Sequence, residues 1–336
     1  MVWQLTTRII AGLITLPVLA ATLQMFWPTK KKSYKGQHVI VSGGSQGMGK
    51  SIAKEFIKRG ANVSIVARTQ RTLDEALEEL KTCVILADQS VRALSVDCAD
   101  ASAVAKGIAE LGTPDVFFCC AAGGTHPGFF VELSPEEHVA QMSLNYNSSV
   151  YCAHSAIRAM LKDPPAPGVQ RKIIFTSSVA AFVNISGYST YMASKAAVRG
   201  LADTLRQEFL MYDVGVHCIF PATIFSPGFA VEQTIKPELT KILEGADEGQ
   251  TCDEVAEASM RGLDKGHAMI NTEFQGNLLR CAMKGPSPKN GLLDFLYSLV
   301  ASIALPFVLF DWEQKVKRYG TQHKEDLAKK GLMKRV

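Results

Sequence analysis

A short apolar run at residues 38–42 ends in Ser42-Gly43-Gly44-Ser45-Gln46-Gly47-Met48-Gly49, and a helical pattern follows over residues 47–58. No other feature constrains the fold of this chain as tightly. Glycines at Gly43, Gly47 and Gly49, placed between a strand and a helix, let the backbone turn sharply and leave the first amides of the helix bare, the setting in which a dinucleotide pyrophosphate approaches the main chain. A strand that feeds a helix in this way belongs to a parallel sheet with helices on its faces.

The rest of the chain keeps that rhythm. Strands are predicted at residues 63–67, 91–96, 116–120, 172–176 and 214–220, and helices at 72–86, 101–110, from Pro135 towards Leu161, and at 190–211. Pro135 after Ser134 suits a first helical turn, and Pro164-Pro165-Ala166-Pro167-Gly168 a surface loop. The fold class expected is α/β, a doubly wound parallel (Rossmann) sheet. Residues 221–241 read as loop and short helix, where a lid over a substrate would sit. There is no internal repeat, and no interleaving of basic and aromatic residues of the kind that binds nucleic acid.

Chemistry enters with Tyr191-Met192-Ala193-Ser194-Lys195. A phenol and an ammonium four residues apart on a helix share a face, so the cation is expected to lower the tyrosine pKa and make the phenol a usable acid/base. Tyr188 is a rival phenol, but Met192 stands where its lysine would be needed. The end of the second strand is Ala67-Arg68, with no carboxylate for a ribose 2′-hydroxyl; arginine there suits the 2′-phosphate of NADPH. The glycine turn also contains G-x-S-x-G, so a hydrolase with Ser45 as nucleophile is an alternative, one that leaves the Tyr191/Lys195 pair unexplained.

The glycine pattern and the Tyr-x-x-x-Lys pair together resemble the short-chain dehydrogenases/reductases over roughly residues 35–265. The resemblance implies further roles. Ser178, thirteen residues before Tyr191, would hold the substrate carbonyl, with Ser177 as the neighbour to exclude; Asn145 would support a water relay behind Lys195; Asp97 would contact adenine. Gly43, Ser45, Gln46, Gly47 and Gly49 would line the pyrophosphate, and Lys195 the nicotinamide ribose. Cys120-Ala121-Ala122-Gly123 stands where the family has Asn-Asn-Ala-Gly, keeping the turn but not its amides, and Pro221-Ala222-Thr223 replaces a Pro-Gly turn, with Thr223 near the nicotinamide carboxamide. Among the family, the chain looks like the membrane-bound members that reduce a long-chain sphingoid ketone at the cytosolic face of the endoplasmic reticulum. Reductases of retinoid, steroid or 3-ketoacyl ketones, and a non-catalytic NADPH-binding membrane protein, are the alternatives. The family implies a homo-oligomer as well. Glu232 and Glu238 in the lid are candidates to face a substrate ammonium, against the plainer reading of solvated carboxylates.

The 336 residues, 47% apolar and 20% charged, suffice for one large domain with tails. The net charge of +4 is set at the ends: residues 1–35 hold five Lys/Arg and no acid, residues 313–336 eight against three acids. Residues 9–27 carry no charge and precede Lys30-Lys31-Lys32, which reads as a transmembrane anchor that keeps the following domain in the cytosol, with a cleaved secretory signal as the alternative. Residues 292–310, with Asp294 as the single charge, read as a re-entrant or interfacial hairpin, or else as a buried helix. The organisation expected is anchor and basic flank at 1–35, an NADPH-dependent domain at 36–285 with its lid at about 221–250, and a membrane-associated segment with a basic tail at 286–336. Eight cysteines without metal-ligand spacing read as free thiols, and no metal is expected.

Overall fold

The computed structural model describes residues 30–120, 124–245, 248–283 and 290–330. The predicted anchor at residues 9–27 and the predicted cofactor contact Gly123 lie outside them. In chain order the elements are β1 (His38–Ser42), α1 (Gly47–Ile57), β2 (Asn62–Ala67), α2 (Gln70–Lys81), β3 (Val91–Ser95), α3 (Ala101–Leu111), β4 (Val116–Cys119), α4 (Pro135–Met142), α5 (Ser148–Lys162), β5 (Lys172–Thr176), α6 (Ser189–Glu208), β6 (Gly215–Phe220), β7 (Ile224–Phe225), α7 (Pro227–Ile235), α8 (Glu238–Glu244), β8 (Gln250–Thr251), α9 (Cys252–Asp264), β9 (Met269–Asn271), α10 (Phe274–Ala282) and α11 (Leu293–Lys329).

Seven strands form one sheet in the order β3-β2-β1-β4-β5-β6-β9, every neighbouring pair parallel. Adjacent strand residues belong to opposite faces: Val39 and Val41 pack with Phe118 and Ile174, whereas Ile40 packs with Phe117, Ile173 and Phe175. Period-two alternation of uniformly apolar side chains is what a sheet covered on both faces requires. Ile52, Phe56, Leu73, Leu80, Val255 and Met260 from α1, α2 and α9 cover one face; Val104, Ile108, Ala153, Ala156, Val198 and Ala202 from α3, α5 and α6 cover the other. The strand order reverses between β1 and β4, so a crevice opens at their C-terminal ends. Ser42 ties that edge together, its hydroxyl donating to Phe118 O at 3.2 Å and accepting from Cys120 N at 3.1 Å.

Four departures from the sequence expectations stand out. Helix α2 stops at Lys81 rather than near residue 86, because Gln89 Oε1 accepts from Ile85 N and Leu86 N while its Nε2 donates to Ile57 O and Ala61 O, holding the segment as a loop. The helix opened by Pro135 carries a π-turn at Ser143–Asn147. The seventh strand, β9, is three residues long and too short to register as a pattern. Finally, residues 292–310 form neither a hairpin nor a buried helix: they lie in the single continuous helix α11, whose Leu293–Val316 stretch is only 11% buried over its most apolar window.

Candidate active site

Ser178, Tyr191 and Lys195 are brought together at the C-terminal ends of β5 and β6. Ser178 follows β5 and caps a single 3₁₀ turn, Val179–Ala181, accepting from Ala180 N at 3.2 Å and donating to Pro221 O at 3.3 Å. Both bonds orient its hydroxyl. Ser177 points the other way and donates to Lys195 O at 2.7 Å, so it anchors α6 and is excluded from the site, as expected. Lys195 is buried, its Nζ 3.3 Å from Thr176 O and 5.6 Å from the centre of the Tyr191 ring.

Burial pushes the Lys195 ammonium down to about 8. The Tyr191 phenol moves up to about 12: burial raises it most, a hydrogen bond with Ser178 opposes that, and the negative charge of Glu232 adds to it. The expected lowering of the tyrosine by its lysine is therefore not what the folded chain alone produces, since desolvation of the buried phenol outweighs what opposes it. A phenol held protonated is the form that gives up a proton.

Asn145 sits in the π-turn, buried, its Nδ2 donating to Gln141 O and Gln141 Oε1 at 3.2 Å each while Oδ1 has no protein partner among the described residues. The π-turn packs on α6, the helix that carries Lys195. A buried amide oxygen without a partner, behind a buried lysine, suits a water.

The residues around the glycine turn fit a dinucleotide. Helix α1 begins at Gln46 with no side-chain cap and no acid in its first turn, leaving its amides and the positive end of its dipole available to an anion. A Cβ at Gly49 would lie 2.2 Å from Gly43 O, so nothing larger than glycine closes this turn. Arg68 is exposed at the end of β2, and its guanidinium has no ion-pair partner among the described residues. Asp97 follows β3 and accepts from Ala99 N at 2.9 Å. Thr223 lies after β6, its carbonyl accepting from Gln250 N at 3.0 Å. Cys120, where the resemblance implies an amide, is a half-buried thiol pushed up to about 11 by desolvation and so a poor nucleophile. All eight cysteines are free, and no group of His, Cys, Asp or Glu among the described residues could hold a metal. Ser45 makes no side-chain hydrogen bond among the described residues, so the hydrolase alternative lacks its base.

One cluster escaped the sequence reading. The Tyr188 hydroxyl donates to Glu232 Oε1 and, at 2.9 Å, to Glu244 Oε1; Thr125 donates to Glu232 Oε2; and Lys236 bridges Glu232 at 3.0 Å and Glu244 at 2.7 Å. Burial alone would lower the Lys236 ammonium, but the two carboxylates overcome it and raise it. Tyr188 is pushed strongly up, by burial first and then by Glu232. The rival phenol thus latches α7 and α8 to the start of α6, one turn from Tyr191. Glu232 is no solvated surface carboxylate, while Glu238 stays at the first turn of α8, outside the cluster. The signal was there: Glu232 precedes Lys236 by four residues, the favourable order on a helix.

The short chain dehydrogenase family matches residues 37–234. The chain is a short-chain dehydrogenase/reductase. It is an oxidoreductase, and the sheet order and the Ser178, Tyr191 and Lys195 grouping above are read in that light. The chain is 41% identical to the 3-ketodihydrosphingosine reductase ksrA of Aspergillus fumigatus, over 86% of each chain. It is 33% identical to the 3-ketodihydrosphingosine reductase TSC10 of Cryptococcus neoformans, over 91% of this chain and 92% of that one. A PIGF/3-ketodihydrosphingosine reductase fusion protein of Schizosaccharomyces pombe is 43% identical over 88% of this chain, which spans 60% of the fusion's length. Among solved structures, a short-chain dehydrogenase/reductase from Mycobacterium ulcerans superposes with a TM-score of 0.62 at 22% identity, covering 71% of this chain and 89% of that one, and a short-chain dehydrogenase from Sphingobium yanoikuyae in complex with NADPH with 0.60 at 23%, covering 70% and 87%. At that identity the likeness speaks for the fold.

Proposed function

We propose that this reductase converts 3-ketodihydrosphingosine to dihydrosphingosine in sphingolipid biosynthesis, with NADPH as reductant. The observation that carries the reading is the 41% identity to a 3-ketodihydrosphingosine reductase along 86% of both chains, joined to a complete Ser178, Tyr191 and Lys195 grouping. When bound, NADPH supplies a hydride to the ketone carbon. Tyr191, protonated over the neutral range, donates its proton to the carbonyl oxygen; Ser178 hydrogen-bonds that oxygen and holds it at the phenol. Lys195 holds the nicotinamide ribose, and Asn145 supports the water path that returns a proton to Tyr191. Gly43, Ser45, Gln46, Gly47 and Gly49 would hold the pyrophosphate, Asp97 the adenine and Thr223 the nicotinamide carboxamide, with Gly123, outside the described residues, as a further contact implied by the resemblance. Arg68, exposed and without an ion-pair partner among the described residues, favours NADPH over NADH through the 2′-phosphate.

The lid is residues 221–250 of a reductase domain spanning 36–285. Residues 9–27 anchor the chain in the endoplasmic reticulum membrane, with the catalytic domain in the cytosol where NADPH is available, and copies associate as a homo-oligomer. The basic residues Lys30, Lys31 and Lys32 support this orientation.

Purified protein in detergent, offered 3-ketodihydrosphingosine with NADPH or NADH, tests the reading. Turnover with NADPH well above that with NADH is expected. Preference for a retinoid, steroid or 3-ketoacyl ketone overturns the substrate, and absence of NADPH oxidation with every ketone overturns the activity.

A further inference from the structure

Helix α11 is clamped to the catalytic domain at both ends. In its first turn Asp294 is buried against Arg280 of α10 in a bidentate pair at 2.5 and 2.8 Å, and Asn290 N donates to the same carboxylate at 2.9 Å. Near its other end the rings of Tyr319 and His323 stack on Phe129, centroids 6.2 and 4.3 Å away, and Lys330, just past the helix, pairs with Glu132. Between the clamps α11 touches the lid helix α8. Phe129 is next to Gly128, which bridges to Tyr188, so this attachment lies beside the active site.

Away from its contact with α8, the middle of this helix is exposed among the described residues. Phe295, Leu299, Ile303 and Phe307 recur every fourth residue and are each 60% exposed or more, and from Pro306 to Phe310 every position is exposed, so the surface runs around the helix and is not one face awaiting one groove. The mean hydropathy of the stretch Leu293–Val316 is 2.0. Exposed apolar surface that encircles a helix is satisfied by immersion in lipid, whereas a second copy of the chain would cover one side. Basic side chains follow at Lys315 and Arg318, complementary to anionic headgroups.

Asp294 and His323 are separated by about 40 Å of helix at ~1.5 Å per residue, enough to cross a hydrocarbon core of ~30 Å. A crossing would carry one clamp to the far side of the bilayer, yet both clamps grip the same globular domain. We infer that α11 does not span the membrane: it lies along the bilayer surface as an immersed arch, holding the mouth of the active site against the leaflet.

The full chain, with Trp3, Trp27 and Trp312 changed to Phe, is reconstituted in phosphatidylcholine/phosphatidylserine vesicles with a single tryptophan returned at Phe295→Trp, Ile303→Trp or Phe310→Trp. Lipids brominated near the headgroup are expected to quench all three more strongly than lipids brominated deep in the chain, at depths of roughly 5–10 Å. Strongest quenching of the Ile303→Trp protein by deep bromines, with shallower ends, is a crossing helix and overturns the inference; absence of quenching by either lipid overturns it as well. A second measurement leaves the helix unaltered: in sealed vesicles an epitope tag after Val336 is expected to be protease-accessible from the side that carries the catalytic domain, and protection of the tag overturns the inference.

Discussion

The proposed catalytic centre and the segment proposed as its lid meet at the start of α6 and are held by different kinds of force. Ser178, Tyr191 and Lys195 hang from β5, β6 and α6, whose apolar side chains are buried on both faces of the sheet. Of the helices in the proposed lid, α7 buries little, while α8 buries Leu239, Thr240 and Leu243. Pro227–Ile235 has no buried residue, and Val231, Ile235 and Ile242 are exposed. Two carboxylates, one ammonium and two hydroxyls tie α7 down instead. The contrast assigns rigidity to the part that positions a proton and a reversible polar latch to the part that an apolar chain would have to pass, since charge-assisted hydrogen bonds exchange with water while a close-packed core does not.

The contrast can be broken at four points. Tyr191→Phe removes the only proton donor of the proposed reaction, and turnover is expected to fall by about 10²–10⁴-fold while the Kd for NADPH, read by fluorescence titration, stays unchanged; unaltered turnover would move the chemistry elsewhere. On the frame, His217 of β6 donates from Nδ1 to His267 O at 2.7 Å and is held down to about 4 by burial. Its unfolded value is higher, so its stability contribution is complete above about 6.5 and is lost as pH falls towards 4, by about 3 kcal/mol at the limit. Urea denaturation at pH 7 and pH 5 should show this loss, and His217→Asn should flatten it.

On the lid, Glu232→Gln keeps the shape and removes the charge that Tyr188, Thr125 and Lys236 share. A loss of about tenfold in kcat/KM is expected, the scale of one charge-assisted hydrogen bond, with denaturant stability of the domain nearly unchanged; a cooperative loss of stability would show that the lid belongs to the core. The smallest effect concerns Lys195, lowered to about 8 by burial. As pH rises through 8 its charge is lost, so NADPH affinity should weaken by a few-fold per the Coulomb energy of one screened pair, and Lys195→Met should abolish the dependence.

Much of the frame was readable along the chain because it is locally encoded. Glycines at Gly43, Gly47 and Gly49, and apolar runs with helices between them, specify strand, turn and helix without reference to distant residues. Tyr191 and Lys195 could be paired for the same reason, one helical turn joining them, whereas Ser178 was picked out only through the family resemblance. The latch was not. Thr125, Tyr188, Glu232 and Glu244 are separated by up to 119 positions, and each is an unremarkable polar residue where it stands. The fate of residues 292–310 was equally opaque, because hydropathy records how apolar a segment is and not what its ends hold.

Sequence alone therefore determined the doubly wound sheet, the bare helix terminus that suits a dinucleotide, and the phenol and ammonium one turn apart, since each follows from backbone preference and a fixed helical or strand period. Tertiary structure alone decided that burial, not the neighbouring lysine, sets the protonation of Tyr191, that Tyr188 latches the lid, and that Arg280 and Phe129 grip the two ends of one long apolar helix. Desolvation and long-range pairing depend on what surrounds a group in space, and neither has a period to read along the chain.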